Sequence, residues 1–75
     1  MSELKRLSGQ ETIKILKKHG FIQIRQKGSH IVLKKIIGDE EIGCVVPLHK
    51  ELAIGTLKGI LKQAKILPEE FIKNL

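Results

Sequence analysis

The stretch FIQIRQKGSHIVLKKIIGDEEIGCVVP, residues 21–47, decides the fold. Phe21 to Arg25 partly alternates and is rich in β-formers, Lys27-Gly28 is a turn signal, and Ser29 to Ile36 resumes a strand through Ile31, Val32 and Leu33. Gly38-Asp39 marks a second turn, and Ile42 to Val46 makes a third strand that Pro47 stops. Links this short require an antiparallel meander. Period-two counting puts His30, Val32 and Lys34 on one face of the middle strand and Ile31, Leu33 and Lys35 on the other. Both faces mix apolar and charged residues, so the pattern leaves open which one the helices cover.

Upstream, Ser8-Gly9-Gln10-Glu11 has the spacing of a capping box, in which the Ser8 hydroxyl and the Glu11 carboxylate each satisfy the other's backbone amide. The helix it opens carries Thr12, Ile13, Ile15 and Leu16 in one stripe and Lys14, Lys17 and Lys18 on the other side, and Gly20 supplies its left-handed cap. Downstream, after a loop from Leu48 to Ile54, a second helix begins near Gly55-Thr56. Leu57, Ile60, Leu61 and Ala64 have the spacing of a core-facing stripe, with Lys58, Lys62 and Lys65 on a flank. Pro68 suits the first turn of a last short helix, Glu69 and Glu70 suit its positive end, and Phe71, Ile72 and Leu75 fold it back onto the domain. The expected architecture is α+β, in the order α-β-β-β-α with a C-terminal helical appendage, its three-stranded antiparallel sheet covered on one face by helices.

Seventy-five residues make one domain, 1–75, with a thin core, since a chain this size buries only about 60% of its unfolded surface. Fourteen Lys and Arg against eight Asp and Glu leave a net charge of +6. That density suits a polyanionic partner, or serves solubility alone. The only aromatics, Phe21 and Phe71, are too few for a base-stacking platform. The single cysteine, Cys44, excludes an internal disulfide and cysteine-based zinc sites, and reads as a small buried hydrophobe. Met1 to Leu7 lacks the apolar core of a signal peptide, and no apolar stretch approaches the ~20 residues of a membrane span. A soluble, cytoplasmic protein with no membrane partner is expected.

An α-β-β-β-α order with a lysine-flanked second helix is the layout of a double-stranded-RNA-binding domain, which reads shape and phosphates. An ordered series of residues points closer. It runs through Gly20-Phe21, Arg25-Gln26-Lys27-Gly28-Ser29-His30, Val46-Pro47 with His49, Gly55-Thr56-Leu57, Ile60-Leu61, Gln63-Ala64 and Glu69-Glu70-Phe71. From about Ser8 to the C-terminus the chain resembles the HicA-type toxin family, the RNA-cleaving half of bacterial and archaeal toxin–antitoxin pairs. The resemblance implies a double-stranded-RNA-binding-like fold, metal-independent cleavage of mRNA without a cofactor, and neutralisation by a HicB-type antitoxin. It also implies that the histidine of the Gly-Ser-His segment, here His30, is catalytic. Ile31-Val32 stand where many relatives carry polar or aromatic residues, and Lys50-Glu51 and Ala53-Ile54 stand where a proline often precedes the Gly-Thr-Leu.

The chemistry of the residues is compatible with that role for His30, although without the resemblance an ordinary solvated strand histidine is the commoner case. RNA carries its own nucleophile, the 2′-hydroxyl, so a nuclease needs a base, charge stabilisation and a positioned phosphodiester. Histidine titrates near neutrality and serves as that base. Lys27 precedes it and Lys34 lies further along its own face, both suited to stabilising charge on phosphate. The alternative is an ordinary solvated strand histidine. His19, at the end of the first helix, reads as structural, interacting with the last carbonyls. His49 is a second acid/base or a plain loop residue. The three histidines lack metal-ligand spacing, so no metal site is expected. Lys14, Lys17 and Lys18 read as a solvated face.

The expectation is an endoribonuclease toxin with His30 as acid/base. Lys27, Gly28, Ser29 and Lys34 lie near the scissile phosphate, and Lys58 and Lys62 hold the RNA backbone. A non-catalytic RNA-binding module and a purely protein-binding basic domain are the alternatives.

Overall fold

The computed structural model describes residues 6–74. They form α1 (Gly9–Lys18), β1 (Ile22–Lys27), β2 (His30–Ile37), β3 (Glu40–Pro47), α2 (Ile54–Ala64) and α3 (Pro68–Ile72). The strands make one antiparallel sheet in the order β1-β2-β3. The fold is therefore α+β, with the α-β-β-β-α order and a short helix appended.

The strands run to the edge of their turns. Gly28 and Gly38 take φ of 61° and 59°, the left-handed conformation that a two-residue hairpin link needs. The ladders consequently close at Lys27↔His30 and Ile37↔Glu40. This carries β1 two residues past Arg25 and starts β3 two residues before Ile42.

Burial settles which face the helices cover. Ile31 and Leu33 of β2 and Ile42, Cys44 and Val46 of β3 are buried, whereas His30, Glu41, Gly43 and Val45 are exposed. The helices thus lie on the Ile31–Leu33 side, and the His30–Val32–Lys34 side is open. Pro47 shares the parity of Val45, whose N–H points outward to Gln63 Oε1 of α2 at 3.4 Å. A proline there sacrifices no bond to β2.

In α1 both bonds of the capping box form: the Glu11 N–H donates to Ser8 Oγ at 3.0 Å and the Ser8 N–H to Glu11 Oε1 at 2.9 Å. The Ser8 backbone amide, then its hydroxyl, holds the Glu11 carboxyl below its ordinary range. Thr12 is fully buried with its hydroxyl donating to the Ser8 carbonyl at 3.0 Å, and Ile13, Ile15 and Leu16 enter the core beside it. Leu57, Ile60, Leu61 and Ala64 of α2 and Phe71 of α3 are also buried. Helix α2 begins at Ile54, ahead of Gly55-Thr56, because extended Ala53 already offers its carbonyl to the Leu57 N–H at 3.0 Å. Pro68 occupies the first turn of α3, with Glu69 and Glu70 beside it; Leu75 lies outside the described residues.

Three backbone bonds stitch the 48–53 loop down. The Gly9 N–H donates to the His49 carbonyl (2.9 Å), the Leu48 N–H to the Ser29 carbonyl (2.7 Å) and the Leu52 N–H to the Leu7 carbonyl (2.7 Å). The start of α1, the end of β3 and the β1–β2 turn therefore meet at one end of the sheet.

Candidate active site

That end carries His30. It is the first residue of β2, exposed, and flanked by Lys27 on β1 and Pro47 on β3 as direct cross-strand partners. Directly opposed strand residues hold their β-carbons about 4.5–5.5 Å apart, so the Lys27 ammonium and the His30 imidazole share one patch of surface. Arg25, two residues before Lys27, is the diagonal neighbour of His30, within the reach of a long side chain. Among the described residues neither Lys27 nor Arg25 makes an ion pair, and the His30 imidazole has no hydrogen-bond partner. Two cations and one imidazole thus stand open to an anionic ligand.

The turn beneath them is braced. Gln26 Nε2 donates to the Gly28 carbonyl at 2.9 Å, and the Ser29 carbonyl is held by Leu48. Gly28 supplies the positive φ that brings Lys27 opposite His30, so it and Ser29 shape the patch through the backbone.

The other expected contacts lie further off. Lys34 shares the open face with His30, but four strand residues at ~3.3 Å each put it about 13 Å away. Its ammonium is also engaged by Glu41 Oε1 at 3.0 Å. Lys58 and Lys62 are exposed on α2, in the helical layer. At about 100° per residue they fall on the flank opposite Gln63, which faces the edge of β3. The structure gathers Lys27, Gly28, Ser29 and His30 and leaves Lys34, Lys58 and Lys62 apart from them.

The remaining histidines divide. His19 caps α1, but its ring meets Asn74 of the C-terminal turn, Nε2 to Nδ2 at 3.0 Å, rather than the carbonyls of its own helix. His49 follows Leu48, whose N–H is tied to the Ser29 carbonyl, and it lines an open groove with Ser8, Gln10, Leu48 and Lys50 at the start of α1. Among the described residues no three His, Cys, Asp or Glu side chains converge to hold a metal ion, and no helix is long and apolar enough to cross a membrane. Arg25 is the site residue given no role by the sequence reading. Its two-residue spacing from Lys27 was the available signal.

Fold and site together define a class: a small basic α-β-β-β-α domain with a histidine and neighbouring cations on the uncovered face of its sheet. One family, described as HicA toxin of bacterial toxin-antitoxin, matches residues 9–66, from the start of α1 to just past α2. The chain belongs to the HicA toxin family. It is the toxin of a toxin–antitoxin pair, and an antitoxin is its partner. Comparison with curated proteins finds no match.

Proposed function

We propose that this toxin is a cytoplasmic endoribonuclease that cleaves mRNA without a metal, with His30 as the general acid/base. The observation that carries the reading is the Lys27–His30 cross-strand pair, solvent-facing and without a competing carboxylate among the described residues. The imidazole takes the proton of the 2′-hydroxyl as its oxygen attacks phosphorus. Lys27 and Arg25 stabilise the charge that grows on the phosphoryl oxygens. The bond to the 5′-oxygen breaks, that oxygen takes up a proton, and the products carry a 2′,3′-cyclic phosphate and a 5′-hydroxyl. Lys34, Lys58 and Lys62 serve more distant phosphates of a long substrate, through long-range attraction rather than contact with the reacting group.

The partner in this reading is a HicB-type antitoxin seated on the open face. Ile22, Ile24, Ile36 and Val45 are 61%, 48%, 70% and 40% exposed there, beside Arg25, Lys27 and Lys34. An exposed apolar patch ringed by cations suits a partner with an apolar, acid-edged surface. Docking there covers His30.

The test is a substrate with a single 2′-deoxy sugar at a mapped cleavage site. Cleavage is expected to vanish at that linkage alone, and the natural substrate to give cyclic-phosphate ends. Cleavage that persists at the deoxy linkage rejects the mechanism. Absence of cleavage by folded wild-type protein rejects the enzyme in favour of a binding module.

A further inference from the structure

On the helical side of the β1–β2 hairpin lies a groove that the mechanism above does not use. It runs between α1 and β1, with a volume of about 270 Å³, and is floored by Ile13, Ile31 and Leu48. Its strand wall exists because of a β-bulge. Gln23 pairs with Leu33 and Gln26 with Ile31, both on the helical side, although the two glutamines are three residues apart. Ile24 is the extra residue that makes this possible, turned out at 48% exposure. Two strand carboxamides therefore border the same groove, and Gln10 of α1 adds a third.

The helix wall is cationic. Lys14 and Lys17, at i and i+3, stand on one flank of α1, and among the described residues neither makes an ion pair. Among the described residues no carboxylate lines the groove. An apolar floor, amides able to donate and accept at a ligand's edge, and paired cations fit a planar ring bearing a phosphate. Such a ligand is a nucleotide of single-stranded RNA, whose exposed base edge is read by hydrogen bonds. The volume is below the ~300–1,000 Å³ of a drug-sized pocket, which suits one base.

The groove is joined to His30 by two bonds already described, Gln26 to the Gly28 carbonyl and Leu48 to the Ser29 carbonyl. Gln26 also precedes Lys27, the partner of His30. We propose that this groove is a nucleobase subsite that selects where the RNA is cut, with Gln23 and Lys14 as specificity-determining residues and Gln26 as a positioning residue. A strand rounding the Lys27–His30 turn places its phosphodiester at His30 and a flanking base in the groove. The proposal rests on the ribonuclease reading, but binding tests it separately.

Two measurements decide it. The ¹⁵N-labelled full chain with His30→Ala is titrated with each of the four nucleoside monophosphates and with inorganic phosphate, following the Gln23 and Gln26 side-chain amides. In parallel, cut sites of the otherwise wild-type protein and of Gln23→Ala are mapped on RNA of random sequence. The expected result is saturable movement of both amides with at least one nucleotide and none with phosphate. Wild type is expected to prefer one base by about 5- to 100-fold beside the cut, falling to about twofold in Gln23→Ala. Immobile amides, or movement that phosphate reproduces, overturn the subsite, as does an unchanged base preference in Gln23→Ala. If wild type cuts RNA under any of these outcomes, the ribonuclease reading survives without the subsite. Nucleotide-specific movement without cleavage keeps the groove as a nucleotide site and removes the nuclease.

Discussion

Gly9 lies against Pro47 so closely that a β-carbon on the glycine would stand 2.1 Å from the proline carbonyl oxygen. Its amide donates to the His49 carbonyl two residues on, so α1 docks end-on against the loop that also holds Ser29. The obstacle is backbone and has no rotamer to escape through. Gly9→Ala is therefore expected to force α1 outward and to cost about 1–3 kcal/mol. In a domain of this size each kcal/mol lowers the melting temperature by about 4–8 °C. Gly59, in α2 with open space around it, is the control: Gly59→Ala is expected to stabilise by about 0.4–1 kcal/mol. Equal melting curves for the two variants would mean that α1 does not dock this way.

Leu61 tests the core. It is 1% exposed on the inward stripe of α2. Leu61→Ala combines a transfer loss with a cavity and is expected to cost about 2–5 kcal/mol, a large share of the stability of a small domain. Denaturant titration measures it. An unchanged midpoint contradicts the packing of α2.

Among the cations of the open face, position predicts unequal effects. Lys27 and Arg25 neighbour His30 and have no ion-pair partner among the described residues, whereas Lys34 is distant and paired with Glu41. Lys27→Ala and Arg25→Ala are each expected to lower the cleavage rate about tenfold. That is less than the ~10²–10³ of a water-excluded oxyanion donor, because solvent screens an exposed site. Lys34→Ala is expected to stay within about twofold, in keeping with the small worth of an exposed pair. Rates at saturating RNA, with Lys34→Ala the most damaging of the three, would relocate the reacting phosphate along β2.

Cys44 gives the molecule a pH signature. Burial pushes its thiol up to about 11 from an ordinary 9.0. The folded state thus keeps a proton that the unfolded state releases first. The corresponding stability is present in full below pH 9.0 and is lost as pH rises toward about 11. Wild type is expected to lose more stability than Cys44→Ala across that window in denaturant titrations. Identical losses would place the thiol in water.

Much of this was legible in residue order. Ser8 and Glu11 announce the capping box, Gly28 and Gly38 the two hairpins, and Leu57 to Ala64 the buried stripe, because each rests on local spacing. The covered face of the sheet was not legible from β2, whose two sides both mix aliphatic and charged residues. It follows from burial of Ile42, Cys44 and Val46 on β3, transmitted through the ladder. The bulge at Ile24 breaks period two without a glycine to mark it, which hid the alignment of Gln23 with Gln26. The separation of Lys58 and Lys62 from His30 depends on how α2 meets the edge of β3, a tertiary relation that no helical spacing encodes.

The central claim is that His30 performs the chemistry. An exposed strand residue contributes little packing, so His30→Ala is expected to melt like wild type. Loss of a general acid/base lowers the rate by about 10²–10⁴. Purified wild type and His30→Ala are incubated with a long unstructured RNA, with and without EDTA, and initial cleavage rates are compared. The account predicts cleavage by wild type that EDTA leaves unchanged and a loss of that order in the folded variant. Equal rates for the two proteins would contradict it and move the chemistry to another group, with His49 the next to be replaced.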